Sequence, residues 1–114
     1  MRGQAAPSKY HAQPTTADGI RFASAKEARR YAELRLLERA GQIQKLVVHP
    51  AFPLRVCGVG GGLVNLGHYV ADFQYWEGPE MIVEDVKGMS TLPLARWKQK
   101  HLKAEYGITV VEIR

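Results

Sequence analysis

A chain of 114 residues, 46% hydrophobic and 24% charged, has the size and balance of a single soluble domain with one modest core. Its formal charge of +5 and pI of about 9.6 favour an anionic partner; nucleic acid comes first, because no basic amphipathic helix or lipidation signal points to a membrane. No apolar run is long enough to span a bilayer, no signal peptide is visible, and one cysteine, Cys57, excludes an internal disulfide and fits a reducing interior.

Residues 1–17 are polar, proline-containing and aperiodic, which predicts a flexible arm ahead of one domain over 18–114. Asp18-Gly19 signals a turn, and Ile20-Arg21-Phe22 a short extended piece. A helix is predicted from Ser24 to Ala40. Ser24 is its N-cap, Glu27 stands three residues on as in a capping box, and Gly41 is its stop. Ala28, Tyr31, Leu34 and Leu37 recur at helical spacing along it. Leu46–His49 and Phe52–Cys57 are β-type runs around Pro50. Gly58–Gly62 is a loop between strands that lacks the Gly-Lys-Ser/Thr ending of a P-loop, so no nucleotide cofactor is expected. Leu63–Leu66 begins a further strand, with Gly67 at a bulge or bend. Strands His68–Trp76 and Met81–Lys87 flank the turn Glu77-Gly78-Pro79-Glu80. Ser90 and Thr91 offer caps, and Pro93 suits the first turn of a helix over Leu92–Tyr106 that Gly107 ends. Ile108–Ile113 reads as the last strand. The expected fold class is α/β or α+β, a sheet flanked by helices.

The chemistry gathers on the predicted hairpin. A symmetric register about its turn pairs Trp76 with Met81 and Asp72 with Asp85, and like charges directly opposite are destabilising unless a cation is shared. Alternation puts Lys87 on the face of Asp85 and turns Glu84 to the other face, as a structural residue or helix partner. The capping role alone could account for Glu27, yet it shares an arc with Tyr31 and Leu34, where a carboxylate needs a partner. On the second helix Arg96, Lys100 and Lys103 form one stripe, suited to phosphates or simply to water. Lys98 lies between Leu94 and Leu102 and either snorkels or reaches the hairpin acids. Trp97 is expected in the core. The four histidines show no metal-ligand spacing, and His49 and His101 are expected to pack with a polar tip.

Glu27, then Asp72, then Asp85-Val86-Lys87 resembles the PD-(D/E)xK nuclease superfamily, whose resolvase-like branches place a helical Glu ahead of the sheet acids. Gly19–Phe22, Ser24–Tyr31, Tyr69–Phe73 and Val83–Gly88 further resemble a small phage and prophage family of uncharacterised PD-(D/E)xK proteins. Ala71 stands where the superfamily's name has proline, and Asp85 fills the Asp/Glu slot with the shorter side chain. The resemblance implies a restriction-endonuclease-like core and a magnesium- or manganese-dependent endonuclease in the cytoplasm of a bacterial host. Its substrate would be branched or structured DNA in phage recombination or genome processing, as for a Holliday junction resolvase. Glu27, Asp72 and Asp85 would hold the metal with the Val86 carbonyl, and Lys87 would hold the attacking water or stabilise charge on phosphorus. Arg96, Lys98, Lys100 and Lys103 would contact DNA, and a symmetric dimer would let two sites cut opposed strands. The alternative is a non-catalytic nucleic-acid-binding protein that retains the nuclease fold.

Overall fold

The computed structural model describes residues 13–87 and 92–114. Most of the predicted arm, 1–12, and the predicted caps Ser90 and Thr91 lie outside the described residues. The elements are β1 (Thr15–Ala17), β2 (Ile20–Phe22), α1 (Ala25–Arg39), β3 (Gln44–Val48), β4 (Ala51–Cys57), β5 (Leu63–Val70), β6 (Phe73–Glu77), β7 (Glu80–Val86), α2 (Pro93–Tyr106) and β8 (Val110–Ile113). This is a mixed α/β fold whose central sheet runs β3-β6-β7-β8, antiparallel except for the parallel pair β7–β8. No helix of the described residues is long and apolar enough to cross a membrane.

The last residues of the predicted arm form a strand. Thr15–Ala17 pairs with Ile20–Phe22 across Asp18-Gly19, whose φ angles of 50° and 75° suit a tight hairpin turn. A three-residue strand carries too little alternation to be read from sequence; tertiary contacts hold it. Ala17 and Ile20 pack on the core, and the Tyr31 hydroxyl donates to Asp18 Oδ2 at 2.8 Å.

Helix α1 starts where its cap predicts: Ser24 Oγ accepts from the Glu27 amide at 3.1 Å. It stops at a Schellman motif, Gln42 N–H to the Leu37 carbonyl at 2.9 Å and Gly41 N–H to Glu38 at 3.0 Å, with Gly41 at φ 80°. Tyr31 and Leu34 pack with Phe22, Ile43, Phe73 and Tyr75 against one face of the sheet. On the other face Val83 and Ala71 meet Leu54, Tyr69 and Leu102, the last from α2. Glu84 turns to the α1 face as expected, where Arg30 clasps both its carboxylate oxygens at 2.9 and 2.6 Å.

The strand predicted as His68–Trp76 is broken: β5 ends at Val70 and β6 begins at Phe73, leaving Ala71-Asp72 as a joint. The same break falls between β3 and β4 at His49-Pro50. Val48 pairs with Phe73 and Ala51 with Val70, so β3–β6 and β4–β5 are two arms of one antiparallel ribbon bent at that point. Pro50 has no N–H for the ladder, and His49 adopts φ 55°, which explains the bend. At Gly67 the expected irregularity appears: the β4–β5 register shifts between Leu54 and Arg55.

Leu92 stands at the N-cap of α2 without a side-chain cap hydrogen bond, and Gly107 closes the helix in the left-handed conformation at φ 73°. Trp97 is not in the core; it is 70% exposed, and Leu94 is 67% exposed. The buried stripe of α2 is narrow, centred on Leu102 with Tyr106 beside it, so the wider apolar arc anticipated from Leu94 to Leu102 faces solvent at its start.

Candidate metal centre

Three segments meet at the bend of the ribbon. The first turn of α1 brings Glu27, the end of β3 brings His49, and the joint before β6 brings Asp72. Each offers one ligand atom, and these atoms lie within 4.8 Å of one another. The His49 Nε2 stands 2.9 Å from Glu27 Oε1. The Glu27 amide makes its half of the capping box, while its carboxylate turns to His49. The buried carboxylate that needed a partner therefore finds an imidazole.

Asp72 is wired from both sides. Its carbonyl accepts from the His49 amide at 2.9 Å, its amide donates to Asp85 Oδ1 at 3.0 Å, and its Oδ2 accepts from the Val86 amide at 2.7 Å. Burial pushes the Asp72 carboxyl up to about 7, reinforced by the nearby Glu27 and Asp85 carboxylates and opposed by the Val86 amide and His49.

Asp85 lies beside this group and not in it. Extending the β6–β7 register, in which Trp76 pairs with Met81 and Phe73 with Glu84, does set Asp72 opposite Asp85. Yet their contact runs through backbone amides instead of two carboxylates turned toward one ion. Asp85 Oδ2 accepts the Tyr69 hydroxyl and the Lys87 ammonium, the latter at 3.3 Å. Burial, followed by this bond, raises the Tyr69 phenol above its ordinary range. Val86 enters through its N–H, which donates to Asp72. The Lys87 carbonyl accepts from Lys26 Nζ of α1 at 2.8 Å, tying the end of β7 to the helix that carries Glu27.

An open cavity of ≈ 330 Å³ lies over the three ligand atoms, lined by Pro14, Arg21, Phe22, Glu27, His49 and Asp72 among others. Asp85, Val86 and Lys87 do not line it, nor do Arg96, Lys98, Lys100 and Lys103. Those four lie on α2, where Lys100 sits 5.4 Å over the Trp97 ring and Lys98 is half-buried. Helix α2 reaches the site through Gln99, whose amide donates to the Tyr69 hydroxyl at 3.1 Å.

His49 packs with a polar tip as expected from sequence, but that tip belongs to the candidate ligand cluster. Its ring touches Phe22, with centroids 5.7 Å apart, but its side chain is 38% exposed and its nitrogen faces carboxylates. His101 is likewise engaged by polar groups, the Arg55 carbonyl at 2.9 Å and Glu105 at 3.3 Å. The signal for His49 lay in its neighbour: a proline directly after a β run marks a bend, and bends bring side chains to one place.

Two carboxylates and an imidazole meet at one end of a mixed sheet in a small α/β protein, beside an acid–lysine pair, and form a candidate donor set for a metal ion. The chain belongs to the family described as protein of unknown function (DUF1064), which it matches over residues 7–112. No curated protein and no solved structure matches it.

Proposed function

We propose that this protein is a metal-dependent endonuclease of PD-(D/E)xK type that hydrolyses phosphodiester bonds in DNA, with branched or otherwise structured DNA as the expected substrate. The observation that carries the reading is the convergence of Glu27, His49 and Asp72 from three separate elements, with Asp85 bonded to the Asp72 amide and Lys87 in turn to Asp85.

The residues fit a divalent cation. A buried carboxyl raised to about 7 by its surroundings is a group that a cation would ionise and hold. Glu27, His49 and Asp72 would be the ligands. Hard carboxylate oxygens suit magnesium or manganese, and the imidazole tilts the set toward manganese. When bound there, a divalent cation would supply Lewis-acid polarisation of a phosphoryl oxygen and a lowered pKa for water.

The chain's own residues do the rest. Asp85 is a positioning acid in this reading: it anchors the Asp72 backbone and holds the Lys87 ammonium in place. Lys87 supplies a positive charge for the attacking water or the developing phosphorane. The basic stripe of α2, Arg96, Lys100 and Lys103, would follow the phosphate backbone, a recognition by charge and shape, with Lys98 adding its charge from the neighbouring arc. Two copies related by a two-fold axis would cut opposed strands.

The test is incubation with linear, nicked, flapped and four-way DNA under magnesium, manganese or chelator, with Asp72→Asn and Lys87→Ala beside wild type. Metal-dependent cleavage by wild type and its loss in both variants is expected. Equal cleavage by the variants would remove the assignment from this site. Metal-independent DNA binding without cleavage would leave the non-catalytic alternative.

A further inference from the structure

The cavity over the metal ligands has a second wall, and it is cationic. Arg21 stands in the middle of β2, opposite Thr16 of β1, and lines the same space as Glu27, His49 and Asp72. Its neighbours anchor the hairpin that carries it. Phe22 is fully buried against Tyr31 and Phe73, and Asp18, at the turn of the hairpin, is hydrogen-bonded to Tyr31.

Other arginines of this protein that find an acid within reach pair with it: Arg30 with Glu84, Arg35 with Glu38, Arg55 with Glu105. Arg21 shares a cavity with two carboxylates and pairs with neither. Among the described residues its side chain is exposed and has no hydrogen-bond or ion-pair partner. An arginine held beside acids without pairing leaves a planar, two-pronged donor available to an anion, and phosphate oxygens match that fork.

We infer that Arg21 is the phosphate-binding residue of this cavity. A phosphodiester group of the substrate sits between the Arg21 guanidinium and the carboxylate–imidazole cluster, so the β1–β2 hairpin is one wall of the nucleic-acid site and not only a cover for the core. This rests on the nuclease reading above and adds the residue and element that grip the scissile region.

The test uses the full chain, a fluorescein-labelled DNA duplex with a phosphorothioate backbone that resists hydrolysis, and anisotropy titrations with and without manganese over a salt series. Arg21→Ala should weaken DNA binding roughly tenfold and reduce the slope of log affinity against log salt by about one, the value for one lost phosphate contact. Arg21→Lys should keep the slope and recover part of the affinity, since it keeps the charge and loses the fork. Manganese binding, followed by its electron paramagnetic resonance signal, should be unchanged in both. DNA binding and salt slope identical to wild type in Arg21→Ala would overturn the inference, as would absence of DNA binding by wild type. Failure of the nuclease reading has a different signature: manganese does not bind wild type, or binds Asp72→Asn equally well.

Discussion

His49 and Asp72 face each other across the bend of a single antiparallel ribbon, joined by a hydrogen bond from the His49 amide to the Asp72 carbonyl. One bend therefore does two things. It lets the ribbon leave the central sheet, and it brings an imidazole and a carboxylate to the same side as Glu27.

His49→Asn tests this imidazole with little backbone cost, because asparagine tolerates the positive φ that His49 adopts. Loss of outer partners at metal sites already weakens binding by roughly 10–100-fold, so loss of a direct ligand should cost at least about tenfold in manganese affinity. Magnesium, which depends less on nitrogen ligands, should be affected less. Isothermal titration with each ion measures both. Equal losses for the two ions would remove His49 as the source of preference.

Asp72 makes the metal-free protein sensitive to pH in a defined direction. Its folded pKa, about 7, lies above the ordinary 3.8, so the folded state holds this proton more tightly than the unfolded chain does. The stabilisation is complete below the unfolded value and is lost as pH rises from about 4 through 7. At about 1.4 kcal/mol per pKa unit the total is on the order of a few kcal/mol. Asp72→Asn, which can still accept the Val86 amide, should therefore melt higher than wild type at pH above 7 without metal, and gain nothing from manganese. Wild-type manganese affinity should fall about tenfold per pH unit below 7, as the proton competes with the ion. Thermal melts across pH, with and without manganese, check both; an Asp72→Asn variant less stable than wild type at alkaline pH would contradict the account.

Much of this architecture was legible in the chain. Helix α1 has an N-cap serine, a helical apolar stripe and a terminal glycine that all agree, and the Trp76–Met81 register follows from a short turn with no slack. Glu84 and Lys87 fell on their faces by alternation alone. What was not legible depended on tertiary placement. The joint at Ala71-Asp72 looks extended in sequence, and only the proline on the partner strand, Pro50, shows why the ribbon bends there. His49 as a cluster member, Tyr69 and Gln99 as props for Asp85, and Arg21 as a cavity wall are contacts between residues far apart in the chain, with no local spacing to announce them. Trp97 lies outside the core: amphipathic periodicity does not say how wide the buried stripe is.

The Arg30–Glu84 pair should be the stability anchor between α1 and the sheet. Glu84 is 1% exposed, and Arg30, one turn after Glu27, grips both of its oxygens while the Tyr75 hydroxyl donates to one of them. Arg30→Met leaves a buried carboxylate without its cation and should cost about 3–5 kcal/mol in urea denaturation. Arg30→Met combined with Glu84→Gln should cost clearly less than the sum of the two single changes, because the second removes the charge that the first stranded. Additive losses in that cycle would show the pair to be uncoupled.

Tyr69→Phe separates the props of Asp85 from the metal ligands. The hydroxyl donates to Asp85 Oδ2 and accepts from Gln99, while the ring packs among Leu54, Val83 and Leu102, so phenylalanine keeps the packing and removes only the polar link. Asp85 would retain the Asp72 amide and the Lys87 ammonium, at 3.0 and 3.3 Å. The expected destabilisation is about 1.5–3 kcal/mol, that of one hydrogen bond to a charged group. Manganese affinity should stay near wild type, since the Glu27, His49 and Asp72 donor atoms are untouched. DNA cleavage should slow, because Lys87 is held through Asp85 and a freer carboxylate lets the ammonium drift. A Tyr69→Phe variant that loses manganese as severely as Asp72→Asn would instead place Asp85 among the ligands.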